Sequence, residues 1–248
     1  MIKVLINGVN GRMGQVVLNQ AQTKDNFSVV CGVDQNDSIT NSFPVYADYN
    51  NIKEDVDVIV DFSTPTASLN ILKFAEANSI PVVIATTGFS DEDLNTIKEY
   101  SSRIPIFRAS NMSYEVNVMA DLVAKLAVLL KDSDIEIVDT HHAGKVDSPS
   151  GTALIFADSI NAALDNEMHY EYNRESKREK RSKKEIGIHS IRGGTVVGKH
   201  TVAFYGQNET LEITHSVDSR SIFADGALKA AEFMINQKNG LYGMNNLI

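Results

Sequence analysis

The sequence predicts an α/β protein with a parallel-sheet domain, followed by an α+β domain on an open mixed sheet. Three observations predict it. Short Val- and Ile-rich runs alternate with helical patterns over the first 112 residues. A glycine-rich turn joins the first run to the first helix. After Ser110 the alternation ends, and successive strand patterns replace it.

The elements follow in order. Ile2–Asn7, Ser28–Val33, Val56–Phe62, Pro81–Ala85 and Ile104–Phe107 are apolar enough to be strands buried on both faces. Arg12–Thr23, Thr66–Asn78 and Asp91–Ser101 carry helical patterns between them, with Thr66 and Asp91 as expected caps. Such alternation implies right-handed crossovers and a parallel sheet. Val116–Lys131 is then a long apolar helix, Ile135–Thr140 a strand and Gly151–Leu164 a helix. Ile186–Arg192, Thr195–Tyr205 and Thr210–Val217 complete four strands, and Phe223–Gln237 is a last helix. No internal repeat is apparent.

Composition narrows the classes of function. In 248 residues, 43% hydrophobic and 22% charged content is that of a globular chain, which excludes wholesale disorder. The apolar runs are too short to span a bilayer. A net charge of −9 argues against nucleic acid and anionic membranes as partners. The first residues reach glycines and an arginine too soon for a signal peptide. With Cys31 as the one cysteine, no internal disulfide can form, and a reducing cytoplasm is the expected location. The segment Glu171–Glu185 holds seven basic and four acidic residues and reads as a solvated, mobile loop.

Strand Ile2–Asn7 runs into Gly8-Val9-Asn10-Gly11-Arg12-Met13-Gly14. Gly8 permits a tight turn, Gly11 lets backbone approach a pyrophosphate, and Gly14 permits close helix–strand packing. The helix N-terminus offers N–H groups and positive dipole to phosphates. Asp34 follows Gly14 by twenty residues, the place for a carboxylate on an adenosine ribose. Ala85-Thr86-Thr87-Gly88 and Ala109-Ser110-Asn111-Met112 each follow a strand, where small and hydroxylated side chains suit a nicotinamide pocket.

The densest chemistry lies in His141-His142-Ala143-Gly144-Lys145-Val146-Asp147-Ser148-Pro149-Ser150-Gly151-Thr152-Ala153. Two histidines and a lysine supply proton donors near neutral pH. Ser150 suits an N-cap, and the helix it opens suits a carboxylate. A metal site is disfavoured, because adjacent strand histidines face opposite sides and no matching ligand set lies close by.

The Glu136–Ala153 stretch and the GVNGRMG start closely resemble the 4-hydroxy-tetrahydrodipicolinate reductase (dihydrodipicolinate reductase) family. Ile186–Gly194 and Leu211–Asp225 extend the resemblance to nearly the whole chain. It implies a Rossmann-like domain at 1–112, completed by 221–248. Between them it implies an inserted α+β domain at 113–220, built on a mixed four-stranded sheet, for substrate binding and oligomerisation. The implied reaction, in the diaminopimelate route to lysine, is hydride transfer from NADH or NADPH to a cyclic unsaturated dicarboxylate. His141 is then the general acid and Lys145 its assistant. His142 and Thr87 would hold one carboxylate, and Ser150, Gly151 and Thr152 the other. A homotetramer, closing about hinges near Ser113 and Ser221, is implied as well. The chain departs from the family pattern at Ala85, Glu115 and Gly243 and in the basic loop. An aspartate dehydrogenase or similar amino-acid dehydrogenase is the rival enzyme, against which the HHxxK and PSGTA segments argue. A non-catalytic dinucleotide sensor is the rival of another class, against which His141 and Lys145 argue.

Overall fold

A computed structural model describes residues 1–36 and 38–248. The chain divides into two compact units, Met1–Tyr114 with Ser221–Ile248, and Glu115–Arg220.

In the first unit the strands are β1 (Ile2–Asn7), β2 (Phe27–Val33), β3 (Val45–Tyr46), β4 (Val58–Asp61), β5 (Val82–Ile84), β6 (Pro105–Arg108) and, from the C-terminal segment, β12 (Gly240–Tyr242). They form one parallel sheet in the order β12-β6-β5-β4-β1-β2-β3. The order reverses between β1 and β4, and a crevice forms there because successive crossovers leave on opposite faces. One face carries α1 (Arg12–Gln22) and α6 (Ser221–Met234), around a core of Val4, Ile6, Val17, Val60, Ala227 and Met234. The other carries α2 (Pro65–Asn78) and α3 (Asp91–Ser101), around Leu5, Ile59, Ile71, Val82 and Ile97. Gly226 lets α6 sit close, since a Cβ there would stand 1.7 Å from the Met112 carbonyl oxygen.

The helix caps differ from expectation. Thr64, not Thr66, caps α2, because Pro65 takes the first helical position and leaves Thr64 extended. Ser90, not Asp91, caps α3, in a reciprocal pair with Asp93.

The second unit holds α4 (Tyr114–Leu129) from Glu115 onward and α5 (Gly151–Ala163), with a sheet of five strands where four were expected. The strands are β7 (Asp134–His141), β8 (His169–Glu171), β9 (Glu185–Arg192), β10 (Gly198–Tyr205) and β11 (Thr210–Val217), in the order β11-β10-β7-β9-β8. The extra strand, β8, is too short to show a period. β7, β8 and β9 are mutually parallel, and β10 is antiparallel to both its neighbours. Alternate β7 residues Ile135, Ile137, Asp139 and His141 are buried, so apolar packing gives way to polar chemistry toward one end of one face.

The basic segment is not a free loop. Arg181 bonds Glu136 and the carbonyls of Ile135 and Glu185, Arg174 pairs with Glu185, and Lys177 with Glu171. Its cations neutralise carboxylates at the ends of β7, β8 and β9.

Candidate functional site

In the first unit the glycine turn is built by close approach. Gly8 has φ +81°, and a Cβ there would stand 2.7 Å from the Phe62 carbonyl oxygen. At Gly14 a Cβ would stand 2.1 Å from the Gly8 carbonyl oxygen, so α1 packs against the turn only without one. Asp34, just past β2, accepts the Asn10 N–H at 2.9 Å and the Asn36 N–H at 2.8 Å, which locks its carboxylate against the turn. Asn10 is buried, and its side chain bonds Asn36 and Asn41. The Val9 side chain lies in the core, so only its backbone can face a ligand.

Two cavities flank this turn. One of about 330 Å³ is lined by Gly8, Gly11, Asp34, Gln35, Tyr49 and Thr64, among others, and suits an adenosine. The other, of about 470 Å³, brings together Arg12, Met13, Ala85, Thr86, Thr87, Ser110, Asn111 and Met112, with Phe223, which the motifs had not indicated. Ala109 packs against the core beside α1 and α6. Residues from the ends of β1, β4, β5 and β6 thus shape a trough whose two halves fit the two ends of a dinucleotide.

Sequence reasoning missed the carboxylate behind that trough. Asp61, the last residue of β4, is fully buried. It accepts from Asn7 Nδ2 at 2.8 Å, Ser63 Oγ at 2.5 Å, Thr86 Oγ1 at 3.0 Å and the Ser68 hydroxyl. Burial pushes its carboxyl up from the ordinary value, while the bonds from Ser63, Ser68, Thr86 and Asn7 oppose that push.

In the second unit the polar centre is Asp139, also fully buried. Its oxygens meet Arg192 Nη1 at 2.5 Å, the Ser150 N–H at 2.8 Å, Ser190 Oγ at 3.0 Å and His141 Nδ1 at 3.1 Å. Burial alone would raise the carboxyl, but these donors, Arg192 foremost, hold it down at about 2. An ionised Asp139 selects the His141 tautomer with its proton on Nδ1 and leaves Nε2 as the unprotonated ring nitrogen. The Nε2 atom is 3.2 Å from where a Cβ on Gly198 would stand. Burial lowers the His141 pKa first, the Asp139 bond raises it, and the Lys145 charge lowers it again.

Sheet register explains the gathering. Ser190, Asp139, His200 and His215 are opposite one another across β9, β7, β10 and β11, and Arg192 lies opposite His141. His200 is buried, with Nε2 2.9 Å from Ser150 Oγ, and its pKa falls to about 4, chiefly through burial. Ser150 caps α5 through the Ala153 N–H, so its amide and hydroxyl are both engaged within the fold. Gly151, the first residue of α5, is exposed, and a Cβ there would meet nothing within 4 Å. Lys145 Nζ lies 2.7 Å from Asp147 Oδ1, and Arg192 Nη2 donates to the Asp147 carbonyl at 2.8 Å, which ties down the loop. His142 is half-buried, and its carbonyl accepts the Lys145 N–H at 3.1 Å. Among the described residues, no group of three or more His, Cys, Asp or Glu is placed to hold a metal ion.

A parallel sheet in Rossmann order, a glycine turn locked to a carboxylate, and a second domain with a histidine–aspartate pair define a nicotinamide-dependent oxidoreductase. Comparison with known proteins narrows the class. The family models for dihydrodipicolinate reductase match residues 2–112 (N-terminus) and 115–248 (C-terminus). The chain belongs to the dihydrodipicolinate reductase family. It is 51% identical over 248 residues to the 4-hydroxy-tetrahydrodipicolinate reductase of Caldanaerobacter subterraneus subsp. tengcongensis, covering 100% of this chain and 98% of the relative. The Clostridium tetani protein of the same name is 41% identical over 249 residues, covering 100% and 97%. A solved dipicolinate-bound dihydrodipicolinate reductase from Paenisporosarcina sp. TG-14 matches over the whole of both chains with a TM-score of 0.85 and 25% identity.

Proposed function

We propose that this reductase transfers hydride from NADH or NADPH to the cyclic unsaturated dicarboxylate derived from 4-hydroxy-tetrahydrodipicolinate, yielding tetrahydrodipicolinate on the diaminopimelate route to lysine. The observation that carries the reading is the His141–Asp139–Arg192 cluster at the end of β7, beside the capped N-terminus of α5. The bound coenzyme supplies the hydride. Gly8, Val9, Asn10, Gly11, Arg12, Met13 and Gly14 would receive its pyrophosphate, and Asp34 its adenosine ribose. Ala85, Thr86, Thr87, Ser110, Asn111 and Met112 would enclose its nicotinamide half, with Ala109 supporting them.

His141 delivers the proton from Nε2. Burial disfavours the imidazolium in the free enzyme, and a bound dianion opposes that by favouring positive charge beside it. Lys145 opposes the negative charge that develops on the substrate, and such a cation acts most strongly in a dry site. The N–H groups of Gly151 and Thr152 receive one substrate carboxylate, with Ser150 as the buried anchor of that turn. His142 receives the other. The solved relative with dipicolinate, a planar dicarboxylate, supports a seat of this kind. Asp34 favours NADH, because a 2′-phosphate would meet its carboxylate, and Gln35 beside it carries no positive charge. A homotetrameric, cytoplasmic enzyme is part of this reading.

The test couples the protein to a synthase that forms the unstable substrate from pyruvate and aspartate semialdehyde, and follows absorbance of each reduced coenzyme. Oxidation that requires the synthase supports the assignment. Coenzyme binding without oxidation would favour a sensor.

A further inference from the structure

Among the buried groups that the proposed chemistry leaves unused is Asp61, at the topological switch between β1 and β4. Its partners come from four separate elements: Asn7 ends β1, Ser63 follows β4, Ser68 sits in α2 and Thr86 follows β5. Two of them, Ser63 and Thr86, line the cavity of about 470 Å³. Thr86 Oγ1 also accepts the Ser63 N–H at 2.9 Å, so its own proton is directed at Asp61 Oδ2. Ser63 Oγ similarly accepts from Asn7 Nδ2 at 3.0 Å and donates to Asp61 Oδ1. A hydroxyl whose proton is held by a carboxyl group can only accept from any further partner.

We propose that Asp61 is a positioning residue that commits the Thr86 and Ser63 hydroxyls as acceptors, and so fits this cavity to the hydrogen-bond donors of a nicotinamide riboside. The proposal rests on the assignment of this cavity to the nicotinamide half of the coenzyme. The complementary donors are the ribose hydroxyls and the carboxamide N–H groups. A carboxylate at this place stabilises the arrangement without itself touching the ligand.

Asp61→Asn inverts the polarity at one oxygen. Asn7 Nδ2 and the Ser63 N–H both donate to Oδ1, so in the D61N variant the amide oxygen stays there. The amide nitrogen takes the Oδ2 place, facing Ser68 and Thr86, and the Thr86 hydroxyl becomes a donor. Dissociation constants of ADP, ADP-ribose and NADH, measured by calorimetry, read the effect without turnover. The expected result is a roughly five- to tenfold loss for NADH, the scale of one hydrogen bond, with ADP unchanged. A loss that begins with ADP-ribose assigns the ribose hydroxyls as partner, and one confined to NADH assigns the carboxamide. Thr86→Val should reproduce the selective loss without touching Asp61. Ser68→Ala, which removes a carboxylate bond but lines no part of this cavity, should leave the NADH-to-ADP ratio as it is. Equal losses for all three ligands, or no loss in either Asp61→Asn or Thr86→Val, would overturn the proposal. A wild type that binds ADP but gains nothing from the nicotinamide half would overturn the cavity assignment along with it.

Discussion

Replacing Asp139 by Asn keeps the shape of the side chain and removes its charge. The structure sets the size of the effect. The carboxyl stands at about 2 in the fold against an ordinary 3.8, a gap that corresponds to about 2 kcal/mol. Because the folded value is depressed, this stability is present above pH 3.8 and is lost as pH falls toward 2. The substitution also leaves the Arg192 guanidinium facing a neutral group in a buried site, and removing one partner of such a pair costs about 3–5 kcal/mol when burial is complete. Arg192 is only partly buried, so the expected loss at pH 7 is about 2–4 kcal/mol. Chemical denaturation, together with hydrogen exchange at the β7 and β9 amides, would measure the difference between wild type and Asp139→Asn at pH 7 and pH 3. That difference should shrink by about 1 kcal/mol at the lower pH, since about half of the linked stability is gone by then. Turnover should fall by about 10² to 10⁴, because His141 loses the acceptor that fixes its tautomer, while NADH affinity holds. A stability difference that is the same at both pH values would refute the reasoning, for the carboxylate would then not be the anion that the cluster stabilises.

Four further outcomes follow from the site. His141→Ala and Lys145→Ala should each lower kcat by about a hundredfold or more with coenzyme affinity retained; near wild-type turnover in both would remove their assignment. In wild type, kcat/KM should lose activity as pH rises through a value below the 6.5 of an ordinary histidine, and kcat at a higher pH, because the bound dianion favours the imidazolium. Gly151→Val should weaken pyridine-2,6-dicarboxylate far more than NADH, and equal losses would indicate misfolding instead. Asp34→Ser combined with Gln35→Arg should move the kcat/KM ratio toward NADPH by roughly tenfold to a few hundredfold, whereas a wild type that already prefers NADPH strongly would show that another residue reads the phosphate.

Where a period was long enough, the sequence located elements closely. β1 and β11 have the bounds that their patterns predict, as does α3. The strands β3, β8 and β12 were missed, since two or three residues carry no period and their pairing is decided by distant neighbours. The glycine turn was legible because each glycine answers a local steric demand. Asp139 was within reach, lying two residues before His141 on a strand and hence on the same face. Arg192, Ser190 and His200 were not, because only the register of β9 and β10 against β7 brings them there. Asp61 was read as part of an apolar run, and nothing local separates a buried carboxylate at a strand end from an exposed one.

The two buried aspartates show how one residue type is given opposite properties by its partners. Taking a carboxylate out of water costs several kcal/mol, and each fold recovers that cost from converging donors. Asp139 has a guanidinium at 2.5 Å first among its donors, and with Ser150, Ser190 and His141 it outweighs the burial that alone would raise its carboxyl. Asp61 is hydrogen-bonded by neutral groups alone, three hydroxyls, an amide and a backbone N–H, so burial prevails and its carboxyl is raised. The difference suits the two tasks. On the proposed role of His141 as proton donor, a permanent anion beside it is required, since a protonated Asp139 could no longer hold the imidazole in one tautomer as the proton comes and goes. Behind the proposed coenzyme trough the donors are neutral, and the carboxyl keeps both hydroxyl protons only while it is ionised, since its own O–H would donate to one of them. There the carboxylate holds hydroxyl protons away from the cavity without a cation that would compete with a bound nicotinamide for space and charge.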